Sequence, residues 1–130
     1  VMASSFTRVI RGERPCDKIG EDDRFLAFLD INTVRKGHAL VIPKMEIDKF
    51  FDLPEDVLAG IMPFAKEVAQ RMARVIPCDR IGVSVVGLEV PHAHVHLIPI
   101  DSIYDMDFSK PKVKMSDAEL AALAEQIRTA

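Results

Sequence analysis

Residues 90–100 read VPHAHVHLIPI, with histidines at 92, 94 and 96 and apolar residues between them. Successive side chains of a strand point to opposite faces, so the three imidazoles share one face, about 6.6 Å apart along the strand. Ala93, Val95 and Leu97 share the other. A slip of one residue would drive every imidazole into the core, so the pattern selects both the strand and its register. The chain must therefore form a sheet with one face packed under a covering layer and the other presenting imidazoles.

Burying three imidazoles without partners costs desolvation at each of them. One histidine in a strand is ordinarily a satisfied structural residue; three alternating on one face point to chemistry. The chain has only one other histidine, His38, which opens the apolar segment HALVIP. Two chemistries suit the group. A His-x-His pair with a third histidine can hold zinc and leave a position open for water. A neutral imidazole can instead attack phosphorus or an acyl carbon, if its other nitrogen is oriented and donors nearby hold the developing charge.

Elsewhere the pattern is that of an α+β chain. Phe6, Val9 and Ile10 mark one face of a short helix that Gly12 and Pro15 stop. FLAFLDI (25–31) and HALVIP (38–43) read as antiparallel strands joined by the turn-rich NTVRKG. In residues 53–76, Val57, Ile61, Phe64, Val68 and Met72 recur at helical steps. Asp52 is the expected N-cap of that helix, and Pro63 is expected to kink or break it. RIGVSVVGLEV and HAHVHLIPI supply further strands, divided near Gly87 and Pro91. Ser116 and Glu119 form a capping-box pair at the head of a C-terminal helix. The fold expected is one domain over residues 1–130: an antiparallel sheet of about five strands, one long central helix and a C-terminal helix.

Composition narrows the function. The 130 residues are 48% hydrophobic and 28% charged, an ordinary globular balance, and the net charge of -3 argues against nucleic acid as a partner. No apolar stretch approaches the ~18 residues of a membrane span, and no signal-like segment opens the chain; a cytoplasmic protein is expected. Cys16 and Cys78 belong to no CxxC pair and read as two free thiols.

HAHVHLI matches the His-φ-His-φ-His-φ-φ signature of the histidine triad proteins, φ being apolar. EDDRFLAFLDINTVRKGHALVIPKMEI (21–47) resembles the N-terminal half of that family, and FDLPEDVL the start of its long helix. The resemblance spans nearly the whole chain and is closest to the histidine triad nucleotide-binding branch. It implies a hydrolase that cleaves at the α-phosphate of purine nucleoside phosphoramidates or related AMP conjugates, with AMP or GMP as the bound nucleotide. By similarity His94 is the nucleophile and forms a nucleotidyl-histidine. His96 donates to the phosphate oxygens, His92 orients the nucleophile or contacts phosphate, and His38 supports the imidazole network. Asp30 takes the place of the carboxylate that accepts from both ribose hydroxyls, chemically apt for an acceptor-only group facing a vicinal diol. Phe6, Val9, Phe28, Ile31 and Leu40 fall at base-pocket positions, and Glu89 and Val90 flank the phosphate.

The chain also departs from the family. Glu89 stands where a serine or threonine commonly meets the phosphate, a carboxylate facing an anion. The segment before the triad is short, and DSIYDMDFSKPKVK after it does not match the family's C-terminus. Relatives in bacteria often carry N-terminal cysteines that join histidines around structural zinc; this region reads SSFTRV and no histidine lies outside the four, so no structural zinc is expected, and the resemblance implies no catalytic metal and no required cofactor. The family implies a homodimer built through the long helices and an extended sheet, with IMPFAKEVA either interface or core. A nucleotide sensor with little turnover and a metal-binding histidine site are the competing readings.

Overall fold

A computed structural model describes residues 3–130. Five strands, β1 (Lys18–Glu21), β2 (Phe25–Leu29), β3 (Ala39–Pro43), β4 (Arg80–Ser84) and β5 (Val95–Ile100), form one antiparallel sheet. Their spatial order is β1-β2-β3-β5-β4. Helix α1 (Ser5–Ile10) precedes the sheet, α2 (Glu55–Val75) crosses between β3 and β4, and α3 (Asp117–Arg128) ends the chain. The α+β architecture matches the sequence pattern, but β1 carried no signal there. It is a short edge strand in which only Ile19 is buried, too little for an alternation to show.

Alternation within the central strands sorts their side chains. Phe25, Ala27 and Leu29 of β2, Ala39 and Val41 of β3, and Ala93, Val95 and Leu97 pack with Val57, Ile61, Ala65, Val68 and Met72 of α2 and with α3. Leu26, Phe28, Leu40 and Ile42 point the other way and meet Phe6 of α1. Both faces are thus covered, which is why FLAFL and ALVIP read as continuous apolar runs. Truncating a fully enclosed residue such as Leu97 would leave a cavity costing about 2–5 kcal/mol.

Three local expectations need correction. Helix α2 starts at Glu55 with Pro54 at the N-cap position, while Asp52 closes a short 3-10 turn. Glu55 and Asp56 supply the negative charge of the first turn instead. The helix also runs unbroken through Pro63. Pro63 lies on the solvent side, as does Ala59, so water can serve the carbonyl left without a donor. Finally, the strand expected over 80–90 ends at Ser84, and Val85, Val86 and Leu88 lie exposed in a loop that turns at Gly87.

Gly37, at φ +90°, makes the turn that delivers His38 to the edge of β3. A Cβ there would meet Ile76 and Pro99 as well as the left-handed backbone. Gly37→Ala is expected to destabilise the fold by about 1–2 kcal/mol from the backbone alone. The midpoint of urea unfolding measures it; an unchanged midpoint would show that this turn relaxes.

Candidate active site

The four histidines converge on the sheet face opposite α2. All are buried: His38 2%, His92 0%, His94 5% and His96 9% exposed. Only His96 lies within the ladder, opposite Leu40; His92 and His94 lead into β5 as irregular backbone rather than as paired strand. The alternation nevertheless persists, because Ala93 remains in the opposite core. Ring centroids of His94 and His96 are 4.9 Å apart, and those of His38 and His96 5.1 Å.

Carbonyl partners fix the tautomers. His94 Nδ1 lies 2.7 Å from the His92 carbonyl oxygen. A carbonyl only accepts, so Nδ1 carries the proton and Nε2 keeps its lone pair. The same logic puts the His92 proton on Nε2, which donates to the Pro43 carbonyl at 2.8 Å. The Val34 N–H donates to His38 Nδ1 at 3.4 Å, so His38 Nε2–H donates to His96 Nδ1 at 2.9 Å. His96 is left with an Nε2–H donor. Burial, reinforced by the neighbouring His96, pushes His38 down to about 3. Burial and then His94 push His96 down to about 4. Both are neutral at physiological pH.

His92 is tied to the first helix. Ser4 Oγ lies 2.9 Å from His92 Nδ1 and caps α1 by accepting from the Thr7 N–H at 3.0 Å. The Glu46 carboxylate accepts from the Ser4 N–H at 2.7 Å and from the Thr7 hydroxyl at 2.5 Å. The Thr7 and Ser4 hydrogen bonds hold the Glu46 carboxyl down to about 2. A carboxyl depressed in the folded state contributes above its unfolded value and is lost as pH falls through the folded one. The clasp therefore persists down to the usual carboxylate range and opens as pH falls from about 4.5 toward about 2. Glu46→Gln is expected to loosen α1 at neutral pH, read as faster hydrogen exchange at the Thr7 and Arg8 amides. Unchanged exchange there would mean that apolar packing alone holds the helix.

A cavity of about 410 Å³ opens beside His94 and His96, lined also by Phe6, Asp30, His38, Leu40, Glu89 and Val90. An adjoining apolar cavity of about 150 Å³ is lined by Val9, Phe28 and Ile31 and shares Phe6, Asp30 and Leu40 with the first. Of the residues singled out from sequence, His92 alone borders neither. Ile31 is 78% exposed and sits at the rim. Burial raises the Asp30 carboxyl, opposed by the Asn32 N–H that it accepts at 3.0 Å.

Sequence reasoning missed Asn32, Phe108 and Lys112, which also line the larger cavity. Phe108 packs edge-on against His96, with centroids 4.8 Å apart. The segment carrying both has no periodicity, and its anchor, a bridge between Val113 and Thr33, joins residues distant in sequence. Ser4, Thr7 and Glu46 were missed as well, although a serine just ahead of an apolar helix is a recognisable N-cap signal.

Asp30, His38 and His96 each offer one ligand atom within 4.8 Å of the others, a set able to meet a metal ion. Holding one there would compete with the hydrogen bond between His38 and His96. Among the described residues both cysteines are unpaired thiols, and no helix is long and apolar enough to cross a membrane.

Comparison with known proteins agrees with this geometry. The HIT domain model matches residues 11–103. The adenosine 5'-monophosphoramidase hnt1 of Schizosaccharomyces pombe is 34% identical over 131 residues, covering 97% of this chain and 96% of that protein. A Hit-like protein of Bartonella henselae, described as involved in cell-cycle regulation and solved with an unknown ligand, superposes with TM-score 0.83 at 27% identity, covering 97% and 95% of the two chains. A hypothetical histidine triad nucleotide-binding protein of Sulfolobus tokodaii gives TM-score 0.81 at 28% identity, covering 96% and 89%. With its triad at 92–96, a matching domain model and relatives aligned along nearly its whole length, the chain belongs to the histidine triad family of hydrolases, on its nucleotide-binding branch.

Proposed function

We propose that the protein hydrolyses nucleoside phosphoramidates or related AMP conjugates at the α-phosphorus, through a nucleotidyl-histidine on His94. The observation that carries this is the His94 Nδ1–H bond to the His92 carbonyl, which commits the proton to one nitrogen and leaves the other a lone pair at the cavity wall. The Nε2 lone pair forms the N–P bond while the bond from phosphorus to the leaving group breaks, its electron pair departing with that group. A proton from solvent completes the amine product. Water then attacks phosphorus and releases a proton to solvent, the N–P bond breaks with its electron pair going to Nε2, and His94 returns with its lone pair. The His96 Nε2–H is suited to donating to the phosphoryl oxygens as charge builds on them.

The paired cavities support a purine nucleotide as ligand. The apolar one suits a base, the histidine-lined one a phosphate, and Asp30, lining both, suits the ribose diol between them. The described fold supports a homodimer through the exposed edge strand β4 and the solvent side of α2, where Val83 and Met62 are exposed. We propose that no metal or other cofactor is required, because the facing nitrogens of His38 and His96 bond to each other.

The test is turnover of an adenosine phosphoramidate by EDTA-treated protein, followed by intact-mass analysis of rapidly quenched samples. Metal-independent turnover with a nucleotidyl adduct mapped to His94 is the expected result. Turnover that vanishes with EDTA and returns with zinc would favour the metal reading. AMP binding with no turnover above a His94→Ala control would favour a nucleotide sensor.

A further inference from the structure

The larger cavity poses a charge problem. Two carboxylates line it, Asp30 and Glu89, and its histidines include the neutral His38 and His96. A nucleoside monophosphate would bring up to about two further negative charges at neutral pH. Repulsion between unit charges a few ångströms apart is on the order of kilocalories even near a protein surface. Among the residues lining the cavity, Lys112 is the one lysine or arginine.

Lys112 is held in place rather than waving from the surface. Its Nζ donates to the Phe108 carbonyl at 2.8 Å and sits 5.9 Å from the centroid of the Phe108 ring. That ring in turn packs on His96 at 4.8 Å and His38 at 6.0 Å. The next residue, Val113, donates its N–H to the Thr33 carbonyl at 2.8 Å, pinning the segment beside the Asp30 turn. An ammonium has three donors and the Phe108 carbonyl takes one, so two remain for a ligand. No ion pair within 4 Å ties Lys112 to Asp30 or Glu89 among the described residues. Its charge already reaches the site, favouring the ionised form of Asp30 and the neutral forms of His38 and His96.

We propose that Lys112 neutralises the phosphate charge of a bound nucleotide and makes this pocket selective for anionic nucleotides over neutral nucleosides. The inference rests on the nucleotide reading of the site. It gives the segment after the triad, most of which lies beyond the residues 11–103 matched by the domain model, a role in ligand recognition. It also answers the difficulty raised by Glu89, since the cation lines the same cavity from a separate segment of the chain.

The experiment compares AMP with adenosine, and GMP with guanosine, by equilibrium binding to wild type, Lys112→Met and Lys112→Arg. Methionine keeps the apolar stem and removes the charge. Lys112→Met is expected to weaken binding of the monophosphates roughly ten- to a hundredfold, the range for a lost charged hydrogen bond. Nucleoside binding should stay within about twofold, which also certifies an intact pocket, and Lys112→Arg should recover most of the monophosphate affinity. Equal weakening of nucleotide and nucleoside, or weakening of neither, would overturn the assignment while leaving the nucleotide reading in place. Wild-type protein that binds none of the four ligands would overturn the nucleotide reading itself, and this inference with it.

Discussion

His94→Gly is expected to lower phosphoramidate turnover by about 10⁴-fold or more, while AMP affinity changes only a few-fold. Removing a nucleophile eliminates the covalent route, leaving only the contribution of binding and hydrogen-bond donors, and losses of that size are typical. The ring is 5% exposed and pinned by one carbonyl, so glycine removes the attacking lone pair and leaves a ring-sized space while the other residues of the cavity wall remain. Added imidazole should restore part of the turnover, because the vacated space has the shape of the missing ring. His96→Ala should cost less, about 10²–10³-fold, the usual effect of deleting one donor to a developing oxyanion. Steady-state kinetics on the purified variants decides the matter. Wild type and His94→Gly turning over equally would place the nucleophile elsewhere.

The ranking of these effects was readable in the sequence because alternation is geometry. Residues 92, 94 and 96 had to share a face if 93, 95 and 97 packed under the helices, and they do so even though the ladder begins only at Val95. Central strands and helices were likewise legible, since long apolar runs and helical periods report burial directly. What periodicity cannot report is local compensation. Pro63 was expected to kink or break α2, but the helix continues through it, with Pro63 and Ala59 both on the side that faces water. Edge strand β1 escaped because it buries one side chain.

The site was legible in its histidines and in Asp30, whose chemistry is unusual for where they sit. It was not legible in its walls. Phe108 and Lys112 reach the cavity because Val113 pairs with Thr33 across eighty residues of chain, roughly the span of the rest of the domain, and no pattern in SKPKVK encodes that pairing. The clasp of Ser4, Thr7 and Glu46 on His92 has the same character: three ordinary polar residues become a unit only when α1 folds onto the sheet.

Acidification from pH 8 to pH 5 is expected to remove about 4 kcal/mol of folding stability, through His38 and His96. In the folded protein they titrate at about 3 and about 4, against 6.5 for an unburied histidine. The unfolded chain therefore binds protons that the folded one refuses, so their contribution is complete above 6.5, falls as pH drops through that value, and stops falling near 3–4. By pH 5 each has lost about 2 kcal/mol. His92, lowered by burial, adds in the same direction. Carboxylates do not explain this window: the depressed ones, such as Glu46, lose their contribution only below about 4.5, and Asp30, raised by burial, acts with the opposite sign. Against a typical total of about 5–15 kcal/mol, the loss is large enough to move the urea midpoint decisively. His38→Phe keeps an aromatic ring against Phe108 and removes one titrating group, so it should lower stability at pH 8 yet roughly halve the drop between pH 8 and 5. A wild-type stability flat across that range would mean that the buried imidazoles accept protons in the folded state, and the neutral hydrogen-bonded pair that leaves His96 a donor would have to be abandoned.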